Sequence, residues 1–331
     1  MKTPIKNFSS GRVRTSLSML TMLAVISSSC NKSANVQDES AKKLSVPSKT
    51  SSIDNTITNR LLPPSSVRSS FSTSPNPAVS DDFNDATVDM TKWQYRTDGS
   101  SKWGTSSSYV YIATNGTQKF LSVKGSYADQ KGSGITTRTT TKYGFYSAKW
   151  KLSGIDATSY NVWHPAIWGG PCDYTNSQQG NCINEFTAAP RQWLEADIME
   201  TYEGSTPGWA SHMLLWDQIN KPNAPDKAVM IAKNTAFPTT TTNWEILGME
   251  YRPTFIKMWR FNWDTNAWVE VKSFPITTQP QSSTNINVNN RTPLYWILSN
   301  NLKKPGITSP ANDSDSWLHV DYFYHYNYIG Q

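Results

Sequence analysis

Several residue types that mark familiar classes of protein are scarce in this sequence. Charged residues make up 17% of its 331 positions, and it has 4 histidines, 3 cysteines and no long helical pattern. The histidines lack the His-x-x-x-His spacing of catalytic zinc sites, and no phosphate-binding glycine loop or internal repeat occurs. These absences count against a helix-rich cytosolic protein and give no support for catalytic zinc.

The excess of basic residues is confined to the N-terminal part of the chain. Residues 1–78 hold ten of the 31 Lys and Arg and three of the 25 Asp and Glu, which leaves 21 basic and 22 acidic residues elsewhere. Residues 79–331 therefore have a net charge of −1 and lack the basic surface that neutralisation of nucleic-acid phosphates requires. Nucleic-acid binding is therefore rejected as the main function.

The first 30 residues have the pattern of an export signal. Basic residues precede an apolar stretch over residues 17–26, and three serines lead to Cys30. This order resembles a bacterial lipoprotein signal, in which the cysteine becomes the lipidated first residue, although Ser27 stands where an apolar residue is usual. We expect an exported protein anchored at the cell envelope through a lipid on Cys30, with simple secretion as the alternative.

Cys172 and Cys182 remain as a pair once Cys30 is set aside. They lie in a loop rich in Gly, Asn and Gln, which has little core of its own and is restrained by covalent closure. A metal site is the rival explanation, but no cluster of His and Cys lies nearby. The sequence therefore predicts a disulfide formed in an oxidising compartment.

Composition divides the rest of the chain into two parts. Residues 31–80 are rich in Ser, Thr, Asn and Pro without a sustained hydrophobic period, which predicts a flexible linker. In residues 81–331, aromatic and β-branched runs alternate with Gly, Asn, Asp and Pro. We expect a single all-β domain there, a β-sandwich of the jelly-roll type.

Alternation of apolar and polar residues predicts the individual strands. Within residues 143–152 the apolar side chains fall on one face and the polar side chains on the other, which is a period of two. Further strands are predicted over residues 108–113, 193–202, 210–216, 246–251, 256–262, 295–298 and 318–326.

The predicted strand over residues 193–202 carries three carboxylates, Glu195, Asp197 and Glu200. Acids are depleted in strands, so this density is unusual. Glu195 and Asp197 share a face by alternation, whereas Glu200 faces the other way unless a β-bulge near Ile198 and Met199 adds a residue. A solvated acidic strand edge is the alternative explanation.

On a bulged strand the three acids can take different chemical roles. Retaining cleavage of a glycosidic bond needs a nucleophilic carboxylate and a protonated acid roughly 5–5.5 Å apart. An acid between them pushes the pKa values of its neighbours apart, so that one is ionised and the other protonated. The segment therefore favours glycosidase chemistry.

Residues 195–200, Glu-Ala-Asp-Ile-Met-Glu, resemble the Glu-x-Asp-x-x-Glu signature of glycoside hydrolase family 16. Further landmarks resemble that family in the same order, at residues 82–84, 92–93, 134–135, 142–148, 163–168 and 320–322. The resemblance covers most of residues 81–326 and implies a jelly roll with a concave substrate cleft. It also implies that Glu195 is the nucleophile, Asp197 the assisting acid and Glu200 the general acid/base.

Aromatic residues near these landmarks are candidates for stacking on sugar rings. Trp193 precedes Glu195 on the same strand face, and Trp163 and Trp168 resemble the family's substrate-side segment. The sandwich core is the alternative place for each of the three. His164 is inserted within that segment and is a weaker candidate for the site.

Three further polar residues are candidates, two for the substrate cleft and one for a metal. His212 is predicted to lie beside Glu200, where it can form a hydrogen bond with a sugar hydroxyl or shift the pKa of Glu200. Asn300 resembles a residue of the family's cleft floor, although Asn301 takes that place if the register shifts by one. Asp321 resembles a ligand of a structural calcium found in many relatives, and no cofactor is expected for the chemistry itself.

These features together predict a retaining endo-β-glycosidase. The expected substrate is a β-linked polysaccharide, either a β-1,3-glucan such as laminarin or an algal galactan, and the expected form is a monomer that contacts the membrane only through its lipid anchor. A non-catalytic carbohydrate-binding protein on the same fold and a transglycosylase are the alternatives. The complete set of three acids favours an enzyme over a binding protein.

Overall fold

The computed structural model describes residues 60–97, 99–155, 162–175, 180–182, 192–202, 208–217, 229–230, 237–238, 243–279, 286–288, 291–302 and 314–330. Cys30, the predicted export signal and residues 31–59 of the predicted linker lie outside these ranges. Within the described ranges, no helix is both long enough and apolar enough to cross a membrane.

Two β-sheets form the described fold, and a single 3₁₀ turn, Arg68–Ser70, precedes them. The site sheet contains β1 (Trp93–Tyr95), β2 (Trp103–Gly104), β5 (Gly132–Thr137), β7 (Trp163–Gly170), β8 (Gln192–Tyr202), β9 (Gly208–Asp217), β10 (Val229–Met230), β11 (Phe237–Pro238) and β16 (Tyr295–Leu302). The back sheet contains β3 (Val110–Asn115), β4 (Gln118–Gly125), β6 (Gly144–Ser153), β12 (Glu245–Tyr251), β13 (Phe255–Asn262), β14 (Ala267–Thr277), β15 (Ile286–Asn287) and β17 (Ser316–Asn327).

Neighbouring strands in both sheets come from distant parts of the chain. The site sheet runs β1-β5-β16-β7-β8-β9-β10, with β2 joined to β5 and β11 joined to β9. The back sheet runs β15-β14-β13-β12-β6-β17-β4-β3. Pairing is antiparallel apart from β2 with β5 and β14 with β15. The predicted all-β sandwich is confirmed.

The core lies between the sheets and follows the alternation seen in the sequence. The core-facing residues of β6 are Tyr146, Ala148, Trp150 and Leu152. Lys149, between two of them, lies on the opposite face. Burying each large apolar side chain contributes about 2 kcal/mol, so this alternation fixes which face of each strand turns inward.

The linker prediction is wrong for residues 60–80, which pack against the outer face of the back sheet. Phe71 is 2% exposed and contacts Phe145 and Tyr326 in a small apolar cluster. Three consecutive carbonyls accept hydrogen bonds from aromatic side chains of the same sheet: Arg60 from Tyr322, Leu61 from Tyr326 and Leu62 from Trp268. The segment looks like a linker by composition because its apolar partners are supplied by distant strands.

Candidate functional site

The three carboxylates lie on β8, where the strand is irregular. Its register shifts between Asp197 and Glu200 relative to β9, and it also shifts along this stretch relative to β7. Ile198 and Met199 lie between the two acids, and both are buried in the core. Two consecutive inward residues mean that the strand contains an extra residue, so the predicted β-bulge is confirmed. Glu195, Asp197 and Glu200 thus share the site face, the side of the site sheet turned away from the core.

Asp197 is the most deeply buried of the three acids. Its side chain is 1% exposed, and among the described residues its Oδ2 has no hydrogen-bond partner. Burial, and then the charges of Glu200 and Glu195, raise the pKa of Asp197 well above its ordinary value. Its burial and the charges of the two acids beside it therefore favour the protonated form of Asp197.

Glu200 is held by an imidazole at each carboxylate oxygen. His164 Nε2 lies 3.0 Å from Oε2, and His212 Nδ1 is hydrogen-bonded to Oε1. Burial alone would raise the pKa of Glu200, but the hydrogen bonds of the two histidines, and their charges when they are protonated, bring it down to about 2. The predicted position of His212 beside Glu200 is confirmed.

His164 lies closer to the acids than its place in the sequence indicated. In β7 this residue pairs with Asn301 of β16, and alternation turns its ring toward the site face and Glu200. The only signal in the sequence was the insertion of a histidine between Trp163 and Pro165, within a segment expected to lie near substrate.

The same alternation places Trp163 in the interior. Its ring is 0% exposed, packs over Gly125 of β4 and donates from Nε1 to the carbonyl of Ser314 at 3.3 Å. The prediction that Trp163 stacks on a sugar in the cleft is therefore wrong. A strand residue one position from a site-facing residue must turn to the opposite side.

Trp168 and Trp193 lie on the site face but present little surface. Trp168 of β7 pairs with Asp197 of β8. Trp193 lies two residues before Glu195 on β8 and therefore on the same face of the strand. They are 8% and 6% exposed, respectively. Their contact with substrate stays a prediction.

Arg96 and Tyr174 cover Trp168. Neither residue was predicted from the sequence to belong to the site. The guanidinium lies 5.0 Å from the ring centre of Trp168, and the ring of Tyr174 lies 5.2 Å away. Arg96 Nη1 also donates to Ser299 Oγ and Asn301 Oδ1, each at 3.0 Å. No local pattern indicated Arg96, because it directly follows a short edge strand and its partners come from β7 and β16.

Asn300 points into the sandwich instead of toward the site face. It is 0% exposed, and its Nδ2 donates to Ser316 Oγ of β17 at 2.8 Å. Asn301, bonded to Arg96, lies on the site face. The prediction that Asn300 lies on the cleft floor is wrong, and Asn301 has the site-facing position. Contact of Asn301 with substrate stays a prediction.

The predicted disulfide between Cys172 and Cys182 is confirmed, and it closes a loop beside the site. Buried Asp173 organises this loop by accepting hydrogen bonds from Asn181 and Thr175. The next residue, Tyr174, reaches the site face. Burial, and then the charge of Glu195, raise the pKa of the Tyr174 hydroxyl.

The residues at Asp321 do not fit a calcium ion. Oδ1 accepts a hydrogen bond from Gln118 at 2.6 Å, and Oδ2 is paired with the ammonium of Lys149 at 2.7 Å. A lysine stands where the cation would have to bind, and calcium needs several free oxygen ligands.

Three residues of the site have possible metal-ligand atoms that lie close enough together to bind one ion. Asp197, Glu200 and His212 each offer an atom within 4.8 Å of the others. The imidazole Nδ1 of His212, however, is directed at Glu200 Oε1. Since these two groups bond each other, we interpret the cluster as a hydrogen-bonded acid site.

Comparison with solved structures supports the architecture. No protein-family model and no curated protein matches the sequence. LamAcat from Zobellia galactanivorans matches with a TM-score of 0.54 and 16% identity, over 77% of this chain and 98% of that one. A β-1,3-glucanase from Mycobacterium marinum matches with a TM-score of 0.51 and 13% identity, over 77% and 100%. A Bacteroides ovatus family 16 protein of a mixed-linkage glucan locus matches with a TM-score of 0.51 and 15% identity, over 74% and 98%.

The chain has the glycoside hydrolase family 16 fold. The likeness confirms the predicted jelly roll. At identities of 13–16% the likeness establishes the fold, and the chemistry has to be argued from the site itself.

Proposed function

We propose that the protein is a retaining endo-β-glycosidase that cleaves a β-linked polysaccharide by double displacement. The observation that carries the proposal is the β8 bulge, which brings Glu195, Asp197 and Glu200 to one face with protonated Asp197 between the outer two. A sugar-binding protein has no need for coupled acids of opposite protonation. We infer retention because Glu195 and Glu200 face the same side of one bulged strand, where their side chains can approach to the roughly 5–5.5 Å that a retaining mechanism requires.

Each acid has a defined task in this mechanism. The first step needs a protonated Glu200, a form that enclosure by the bound sugar favours against the two imidazoles that lower the pKa of Glu200 in the free site. Glu195 then attacks the anomeric carbon while Glu200 gives its proton to the leaving oxygen, so the glycosidic bond breaks and a glycosyl ester forms. Water then attacks that ester, Glu200 takes the proton from the water, and Glu195 leaves as a carboxylate. Neutral Asp197, which offers an oxygen within 4.8 Å of a carboxylate oxygen of Glu200, keeps a third negative charge out of the site during the cycle.

Laminarin is the first substrate to test, because one solved structure with this fold is named a β-1,3-glucanase. An algal galactan is the second. We further propose that the protein acts as an exported monomer held at the cell envelope by a lipid on Cys30.

Replacement of either outer acid tests the mechanism. We expect Glu195→Gln and Glu200→Gln each to lower kcat on laminarin or galactan by about a thousandfold or more without unfolding the protein. Glu270→Gln, in an exposed ion pair of the back sheet, is the matched control and should leave kcat unchanged. Product analysis by proton NMR should detect the β-anomer first. Full activity in Glu195→Gln, or early release of the α-anomer, would refute the proposal.

A further inference from the structure

The two imidazoles that hold Glu200 differ in the surroundings of their second ring nitrogen. His212 is 3% exposed, and among the described residues its Nε2 has no hydrogen-bond partner. His164 is 25% exposed, and its Nδ1 lies 3.5 Å from the hydroxyl of Thr201. One imidazole is therefore sealed in the protein, whereas the other has a polar partner and access to solvent.

This difference decides the tautomer of His212. A buried N–H without an acceptor costs more than a buried nitrogen lone pair, so the proton of neutral His212 belongs on Nδ1. That proton is donated to Glu200 Oε1. Oε1 is thus a permanent acceptor and is unavailable to carry the proton that an acid catalyst must deliver.

His164 can form a hydrogen bond with Glu200 Oε2 whether that oxygen is ionised or protonated. The hydroxyl of Thr201 both donates and accepts, so it satisfies Nδ1 of His164 with or without a proton. Nε2 can then donate to an ionised Oε2 or accept from a protonated one. Exposure of the ring lets it exchange its proton with water between these two tautomers.

We propose that His164 is a positioning residue for Glu200 and that Oε2 is the oxygen that exchanges a proton with the glycosidic oxygen. The inference rests on the proposed function. In the first step the proton on Oε2 moves to the leaving oxygen as the bond from the anomeric carbon to that oxygen breaks. In the second step the attacking water returns a proton to the same Oε2. His164 keeps that oxygen aimed at the reacting atoms in both states.

The test compares two substrates that differ in their need for an acid. Hydrolysis of laminarin requires protonation of a poor leaving group. The dinitrophenolate of dinitrophenyl β-laminaribioside is a good leaving group and departs without protonation. We expect His164→Ala to lower kcat/KM on laminarin about 30-fold and on the dinitrophenyl glycoside less than about threefold. If the wild type cleaves a galactan instead, the corresponding galactan and aryl galactoside are the probes.

Conservative variants separate a positioning role from a structural one. His164→Gln puts an amide that can donate or accept near the position of Nε2, so it should recover activity on laminarin to within about fivefold of wild type. Thr201→Val removes the supporting hydroxyl and should show the same selective loss to a smaller degree. His319→Gln, a histidine of the back sheet bonded to Ser122 and Ser153, is the matched control.

The outcomes are distinct. Equal losses on both substrates, or no loss on laminarin, would overturn the role of His164. If His164→Ala fails to fold, Thr201→Val decides: a selective loss supports the inference, and unchanged selectivity overturns it. Glu195→Gln should abolish turnover of both substrates, and its retained activity would refute the proposed function, independently of His164.

Discussion

At the scale of single residues, the site contrasts two acids three positions apart on one strand. Asp197 is buried without a partner for Oδ2 in the described part of the chain, and its pKa is raised. Glu200 is also largely enclosed, yet two imidazoles stabilise its charge and lower its pKa to about 2. The surroundings, and not the residue type, decide which acid holds the proton.

Asp197→Asn should stabilise the fold near neutral pH. Folded Asp197 keeps a proton that the unfolded chain releases, so its contribution to stability is lost as the pH rises from the unfolded pKa toward the raised folded pKa. We expect the Tm of Asp197→Asn to exceed that of wild type by about 2 °C at pH 7 and by less at pH 4. The pH dependence of turnover should shift as well, and kcat should fall less than in Glu195→Gln.

Thermal melts of both proteins at the two pH values measure this effect. Asp264→Asn, at an exposed acid in the turn between β13 and β14, provides the control and should change Tm little. A lower Tm for Asp197→Asn at pH 7 would contradict a protonated Asp197.

At the scale of elements, the disulfide loop supplies part of the site face. Asp173 anchors it to β1 through Gln94 at 3.0 Å, and the carbonyl of Tyr174 accepts from the backbone of Thr97 at 2.8 Å. The loop thereby holds Tyr174 against Trp168. A segment with few apolar residues of its own depends on such anchors to keep one conformation.

Removing the disulfide should loosen this loop and lower activity. The bond closes a separation of 10 residues, for which chain entropy suggests a stabilisation of about 3 kcal/mol. We expect the double variant Cys172→Ser with Cys182→Ser to lose about 10-fold in kcat/KM while the sheets stay folded. Tyr174→Ala in the oxidised protein should reproduce the loss of activity at a smaller cost in Tm. Unchanged kcat/KM in the double serine variant would mean that the loop has no part in turnover.

At the scale of the whole molecule, the N-terminal segment from residue 60 to residue 80 belongs to the sandwich. Besides the contacts of Phe71 and the three carbonyl acceptors, it donates backbone hydrogen bonds to β17, from Ser72 to Asn327 and from Asn76 to His325. Asp81, the residue after the segment, accepts from Trp93 Nε1 inside the fold. The segment thus covers an aromatic face that would otherwise meet water.

Truncation distinguishes a packed segment from a linker. Deleting residues 1–80 removes Phe71 and three hydrogen-bond acceptors, at a cost of about 5 kcal/mol, which is comparable to the stability of many domains. We expect that variant to melt at least about 10 °C lower than the full chain or to aggregate. A variant beginning at Asn59 is the control and should melt like the full chain. Equal Tm values for the two variants would restore the linker interpretation.

The sequence by itself determined the features that depend on neighbouring positions. Period-two alternation in β6 predicted its core face, and the odd spacing between Asp197 and Glu200 required a bulge if both were to share a face with Glu195. Cys172 and Cys182 were paired by elimination. Each of these deductions uses only the geometry of one short segment.

Only the tertiary structure decided which distant residues meet. His164 reaches Glu200 because β7 lies beside β8, and Trp163 turns inward because it occupies the adjacent position of the same strand. Whether Asn300 or Asn301 faces the site depends on the register between β16 and β7, where a shift of one residue exchanges the two faces. Register is set by contacts between strands that lie far apart in the chain, so a single segment carries no record of it.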